Sequence, residues 1–137
     1  RERCWGHESL FEQVVMNLLV NARDAINAYA HGHGHAEAGG AREIFILCHA
    51  AGRNALEIRV RDTGGGVPDT VLDRLFQPFF TTKPAGKGTG LGLSLSYGII
   101  QDMNGDLSVR NVAGGAEFTI RLPFTEVAVG SGEAVGG

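Results

Sequence analysis

The chain has 137 residues, 43% of them hydrophobic and 20% charged, with a formal net charge of −3 at pH 7. This balance suits one soluble domain with one core and offers no basic footprint for nucleic acid. No run of 18 apolar residues is present to span a membrane, and Cys4 and Cys48 fit no metal or redox spacing, which points to free thiols in a reducing, cytoplasmic setting.

Residues 9–29 form the first predicted helix. Leu10, Phe11, Val14, Val15, Leu18, Leu19, Ala22, Ala25, Ile26 and Tyr29 recur at spacings of three and four and cover one broad arc. Asn17, Asn21 and Asp24 run at i, i+4 and i+7 along the border of that arc. Asparagine is a poor mid-helix residue, so the stripe calls for a chemical reason beyond a solvated flank. His31, His33 and His35 alternate with glycines in what reads as a variable insert between helix and strand. Metal binding there is the weaker alternative.

Residues 43–50 and 55–61 read as strands joined by a hairpin-like turn at 52–54. In the second, Leu56, Ile58 and Val60 face one way and Glu57, Arg59 and Arg61 the other, which puts Asp62 on the apolar side. A carboxylate there is costly unless a donor meets it, although a turn-initiating aspartate is the simpler alternative. The glycines at 64–66 allow backbone to approach a flat ligand. Residues 69–75 predict a short helix, with Pro68 near its start and Asp69 or Thr70 as caps. Phe76, Phe79 and Phe80 form an aromatic cluster, readable as core and as an anchor for a neighbouring lid. Residues 91–103 predict a helix with Leu91, Leu95, Ile99 and Met103 on one side and Gly105 as its C-cap. Strands at 106–112 and 116–122 follow, joined through Gly114 and Gly115. Helices segregated from antiparallel pairs give an α+β two-layer sandwich over residues 1–123, and the small, Gly-rich residues 124–137 read as a flexible tail.

Residues 83–94 hold four glycines, two lysines and a threonine and run into the helix that follows. Converging backbone N–H groups and a helix N-terminus suit a phosphate chain. Two familiar phosphate loops fail on spacing. Gly86-Lys87 is followed by Gly88 rather than Ser or Thr, and neither Gly86/Gly88 nor Gly90/Gly92 completes Gly-x-Gly-x-x-Gly.

Taken together, the motifs resemble the catalytic, ATP-binding domain of sensor histidine kinases, in the superfamily shared with DNA gyrase, the mismatch-repair ATPase and the large heat-shock chaperone. Residues 13–25, with Asn17-Leu-Leu-Val-Asn21, are similar to the N box. Asp62-Thr-Gly64-Gly-Gly66 is similar to the first glycine box, residues 75–83 to the F box, residues 86–94 to the second glycine box, and residues 114–118 to the last. The fold this implies is of the Bergerat type: a mixed, mostly antiparallel sheet with helices on one face.

The resemblance also implies roles. Asn17 and Asn21 become the catalytic pair, with Asn21 holding Mg²⁺ against the triphosphate of ATP. Asp62 becomes the acceptor for the adenine amine. Asn17, Asn21, Asp24, Gly64, Gly66 and Val67 line the nucleotide from one side. Phe80, Thr82, Lys83, Lys87, Gly88, Thr89, Gly90, Leu91, Gly92 and Leu93 line it from the lid side, and residues 83–90 should move when no nucleotide is bound. Hydrolysing members of the superfamily carry Glu at position 17 as the base for water. Asn17 cannot take a proton, which favours phosphoryl transfer over hydrolysis. The implied partners are a dimerisation and histidine-phosphotransfer domain of the same parent protein and a downstream response regulator. The parent is expected in the cytoplasm or anchored in the inner membrane, and the isolated domain is expected to be a monomer. His7 stands too close to the N-box helix to serve as the acceptor. A regulatory nucleotide-binding module and a hydrolysing ATPase are the alternatives. Ala116 stands where many members have Thr.

Overall fold

A computed structural model describes residues 4–37, 42–80 and 92–123, with side chains at 9–30 within the first range. In chain order these form α1 (Cys4–Glu37), β1 (Ile44–Ala50), β2 (Ala55–Asp62), α2 (Asp69–Leu72), α3 (Gly92–Asp102), β3 (Asp106–Val112) and β4 (Gly115–Pro123). The strands make one sheet in the order β1-β2-β4-β3. All three pairings among the described residues are antiparallel, in keeping with the mostly antiparallel sheet expected.

The period of two along each strand sorts the side chains. Ile58 lies opposite Ile120 and Val60 opposite Phe118 across β2 and β4, and Leu107 and Val109 continue the row on β3. That apolar face meets Val14 and Leu18 from α1 and Ile100 from α3 in one core. The opposite face is charged. Glu117 lies there fully buried, its carboxylate met by Arg110 at 2.9 Å and Arg61 at 3.4 Å, while Glu57 takes Arg59 at 2.9 Å and Arg121 at 3.0 Å. Although Glu117 alternates with the core-facing Phe118, it is not left in water, because cross-strand guanidinium groups cover it.

Several elements differ from expectation. Helix α1 continues through Glu37, so residues 31–37 are helical rather than an insert. Glycine weakens a helix by about 1 kcal/mol per residue, but no proline stops this one. Helix α2 ends at Leu72, and Pro68 occupies its N-cap with no side-chain cap bond, so neither Asp69 nor Thr70 caps it. On α3 the buried positions are Ser96 and Ile100, and Leu95 is exposed. Of the predicted stripe, Ile99 and Met103 pack against the core, Leu95 does not, and Leu91 lies outside the described residues; a small polar residue, Ser96, sits at the contact with α1.

The end of α3 separates two roles that the sequence merges. Asn104, not Gly105, takes the left-handed conformation, at φ 63. The Asn104 and Gly105 amides donate to the Gln101 and Ile100 carbonyls at 2.9 Å each, closing a Schellman motif. Gly105 is required for space: a Cβ there would meet the Arg121 carbonyl oxygen at 2.5 Å. Asn104→Ala should cost about 1 kcal/mol, seen as a lower urea midpoint with an unchanged m-value.

Candidate functional site

The site is built around the end of β2. Strand parity carries Asp62 to the helix-facing side, where it is 3% exposed. Its Oδ1 accepts the Gly64 amide at 2.8 Å and the Ala116 amide at 3.4 Å. Oδ2 accepts no hydrogen bond from a described residue, which leaves one oxygen of a desolvated carboxylate available to a donor. Burial pushes the Asp62 pKa above the usual aspartate value, and the two backbone amides oppose that rise only in part.

Glycines let the chain close on itself here. A Cβ on Gly64 would meet the Ala25 carbonyl carbon at 2.7 Å, so the strand exit lies directly on α1. A Cβ on Gly65 would enter the Tyr29 ring, and one on Gly115 would enter the Asp62 carbonyl oxygen. Gly66, at φ 84, faces Asn111. Asn111 then fixes the loop: its Oδ1 accepts the Val67 amide at 2.8 Å, and its Nδ2 donates to the Val67 carbonyl at 2.6 Å. The Gly65 amide donates to the Gly114 carbonyl at 3.0 Å, so the β3–β4 hairpin backs the whole turn. Asn111 was missed in the sequence. Its signal is an amide on the apolar parity of a strand, where asparagine is disfavoured.

The asparagine stripe occupies the border of α1, with Asn17, Asn21 and Asp24 all half-buried. Asn17 reaches α3, donating from Nδ2 to Ser96 Oγ at 3.1 Å and to the Gly92 carbonyl at 3.4 Å. Asp24 is held at 3.0 Å by Arg23. Leu93 packs its side chain against the core. Phe80 lies 4.8 Å from the Arg74 guanidinium, and Phe76 stacks on Tyr97 at 5.2 Å. Thr82, Lys83, Lys87, Gly88, Thr89, Gly90 and Leu91 lie outside the described residues, and with them the expected lid motion.

The described part of the site therefore joins a buried acceptor, close-approaching backbone and neutral amide oxygens one helical turn apart. Such a set suits a flat base carrying an exocyclic amine. Among the described residues no group of three or more His, Cys, Asp or Glu could hold a metal. Asn21, half-buried on the same border, carries a neutral amide oxygen, a hard donor of the kind a magnesium ion accepts beside substrate phosphates.

The acid sensitivity of such a site follows from Asp62. With its folded pKa raised, Asp62 favours the folded state below the ordinary aspartate pKa, and that contribution is lost as pH rises through the raised value. Ligand binding has the opposite need, because the ionised carboxylate is the stronger acceptor and protonation turns one oxygen into a donor. Affinity for ADP should fall on acidification already above the ordinary aspartate range, as read by calorimetry in a pH series; a flat profile there would separate Asp62 from binding.

Comparisons with known proteins agree on the class. Residues 6–126 match the family described as histidine kinase-, DNA gyrase B- and HSP90-like ATPase. The two-component sensor PprA of Pseudomonas aeruginosa is 42% identical over 93% of this chain, and the sensor kinase CckA of Brucella abortus 43% identical over 82%. The chain spans only 13% and 12% of their lengths. Among solved structures, the catalytic domain of histidine kinase ThkA superposes with a TM-score of 0.66 at 31% identity, covering 84% of this chain and 66% of that one. The mycobacterial sensor histidine kinase MprB shares the fold at a TM-score of 0.61, with 21% identity, over 81% of this chain and 70% of that one.

Proposed function

Because the chain belongs to the family of histidine kinase-, DNA gyrase B- and HSP90-like ATPases, we propose that it is the ATP-binding catalytic domain of a sensor histidine kinase. It binds Mg-ATP and passes the γ-phosphoryl group to a histidine on a dimerisation domain of the parent protein, which then serves a response regulator. The observation that carries this reading is Asp62, a buried carboxylate with one oxygen committed to backbone and the other available. In the proposed transfer, the unprotonated nitrogen of the imidazole forms a bond to the γ-phosphorus, the bond from that phosphorus to the β–γ bridging oxygen breaks, ADP leaves with the electron pair, and the imidazolium so formed gives a proton to solvent.

Asn17 supports transfer over hydrolysis. Its amide nitrogen faces the Gly92 carbonyl, a group that can only accept. A glutamate at this position would set an anion against that oxygen, and asparagine cannot deprotonate water. Positioning and charge neutralisation remain, and these are what phosphoryl transfer needs.

Two measurements test the reading. The chain should bind Mg-ATP without steady release of inorganic phosphate; sustained turnover by the chain alone would favour a hydrolysing ATPase. Asn21→Ala should weaken Mg-ATP binding by about tenfold, the loss of a metal-linked contact, and change metal-free ADP binding far less. Equal losses for both nucleotides would make Asn21 a structural residue instead.

A further inference from the structure

We infer that Ser96 is a positioning residue that sets the orientation of the Asn17 amide, so that this side chain offers the nucleotide site an acceptor and not a donor. The inference rests on the function proposed above and assigns a role to a residue outside the family motifs. Ser96 is fully buried in the middle of α3, at a position where helix packing usually places a hydrocarbon. A buried hydroxyl needs a partner, and Asn17 Nδ2 supplies one at 3.1 Å.

The orientation follows from the second contact. A serine hydroxyl can donate or accept and would tolerate either face of an amide. The Gly92 carbonyl cannot: it only accepts, and it lies 3.4 Å from the same Asn17 atom. The Asn17 group facing α3 is therefore the NH₂, with its two hydrogens directed to two acceptors one helical turn apart. Oδ1 is the part left over. An amide held this way repels a phosphate oxygen and welcomes a hydrogen-bond donor, such as a water in the hydration shell of a bound magnesium ion. Ser96 and Gly92 thus fix on α3 what Asn17 presents from α1, one turn from Asn21.

Replacing Ser96 removes the nearer restraint and frees the amide to rotate. Ser96→Ala is the natural test, since alanine fits the space and favours the helix. In calorimetry on the whole chain, Ser96→Ala should weaken Mg-ATP binding by about three- to tenfold, the range for one hydrogen bond, and leave metal-free ADP within about twofold. Asn17→Ala should show the same selectivity, and the double variant should bind no more weakly than Asn17→Ala alone. In nucleotide-free chain, the side-chain amide resonances of Asn17 should shift in Ser96→Ala and exchange faster with solvent.

A purely structural Ser96 would lower the unfolding temperature and weaken both nucleotides alike. That outcome, additive losses in the double variant, or unmoved Asn17 resonances would each overturn the inference. Absence of any nucleotide binding by the unaltered chain would overturn the proposed function, and the role assigned to Ser96 with it, whatever the resonances show.

Discussion

Replacing Asp62 with alanine should abolish ADP and ATP binding, lowering affinity by about two orders of magnitude, the expected loss for a charge-assisted bond in a desolvated site. Asp62 is the only buried aspartate among the described residues, and its Oδ1 is already engaged by the Gly64 and Ala116 amides. The alanine variant also leaves those two N–H groups without their acceptor, so its stability should fall by about 1–3 kcal/mol. Asp62→Asn separates the two effects. Its carbonyl oxygen can keep the Gly64 amide, while its NH₂ replaces the free oxygen with a donor facing the adenine amine. The asparagine variant should stay folded and still fail to bind. Wild-type ADP affinity in Asp62→Asn, measured by calorimetry, would remove Asp62 from the base pocket.

Gly115→Ala should be the most damaging single change to the fold. Gly115 begins β4, and its Cα lies so close to the Asp62 backbone that an added Cβ would enter the carbonyl oxygen. The obstructing atom is main chain, which cannot swing away as a flexible side chain does. Either β4 must slip from β2 or the turn after Asp62 must open. Overpacking of this kind costs about 3 kcal/mol or more, a large share of the stability of a domain this size. Thermal unfolding followed by circular dichroism should show a fall of 10 °C or more, on the order expected for that cost in a small domain. Nucleotide binding should be lost with it, because the same shift carries the Ala116 amide away from Asp62. Gly114→Ala makes the contrast: nothing lies within 4 Å of its added Cβ, and its φ of 80 leaves only local backbone strain, so the loss should be smaller.

Both predictions join the β2 end to the β3–β4 hairpin, a link that the sequence reveals only in part. The position of Asp62 was legible because a period of two is strict: once Ile58 and Val60 face the core, the next alternate residue must follow. The long helix was legible for the same kind of reason, since Val14, Leu18, Ala22 and Ile26 repeat at four-residue spacing and are all buried. Periodicity has no means of naming a partner. Asn111 clamps Val67 from 44 positions away, and Ser96 meets Asn17 from 79 away. Such contacts depend on strand order and helix placement, which local pattern does not encode.

Helix α3 shows how the pattern can mislead. The predicted stripe holds at Ile99 and Met103, which pack against the core, yet Leu95 is exposed and Ser96 is enclosed. Hydrogen bonding to Asn17 compensates the cost of burying the hydroxyl, so the smaller residue takes the contact. At the end of the same helix, glycine was the expected left-handed residue, but Asn104 holds that conformation and Gly105 answers a steric demand from β4. In both places a local preference was overridden by a neighbour distant in sequence.

The electrostatic layout divides the labour of the sheet. On the open face, carboxylates at Glu57 and Glu117 are covered by arginines that pair across strands. On the helix side, Asp62 has no cationic partner among the described residues and is met there by the Gly64 and Ala116 amides. A salt-bridged carboxylate would be a poor acceptor for a neutral amine, because its charge is already spent. The unpaired one retains that capacity at the cost of its own desolvation.

Phosphoryl transfer to a supplied dimerisation domain is the decisive measurement for the proposed function. Incubation of the chain with Mg-ATP labelled at the γ-phosphorus and with that domain should place label on a histidine, in acid-labile and base-stable form, with stoichiometric ADP. The Asp62→Asn chain should give none. Nucleotide bound by the chain with no histidine labelled, or label released only as inorganic phosphate, would contradict it.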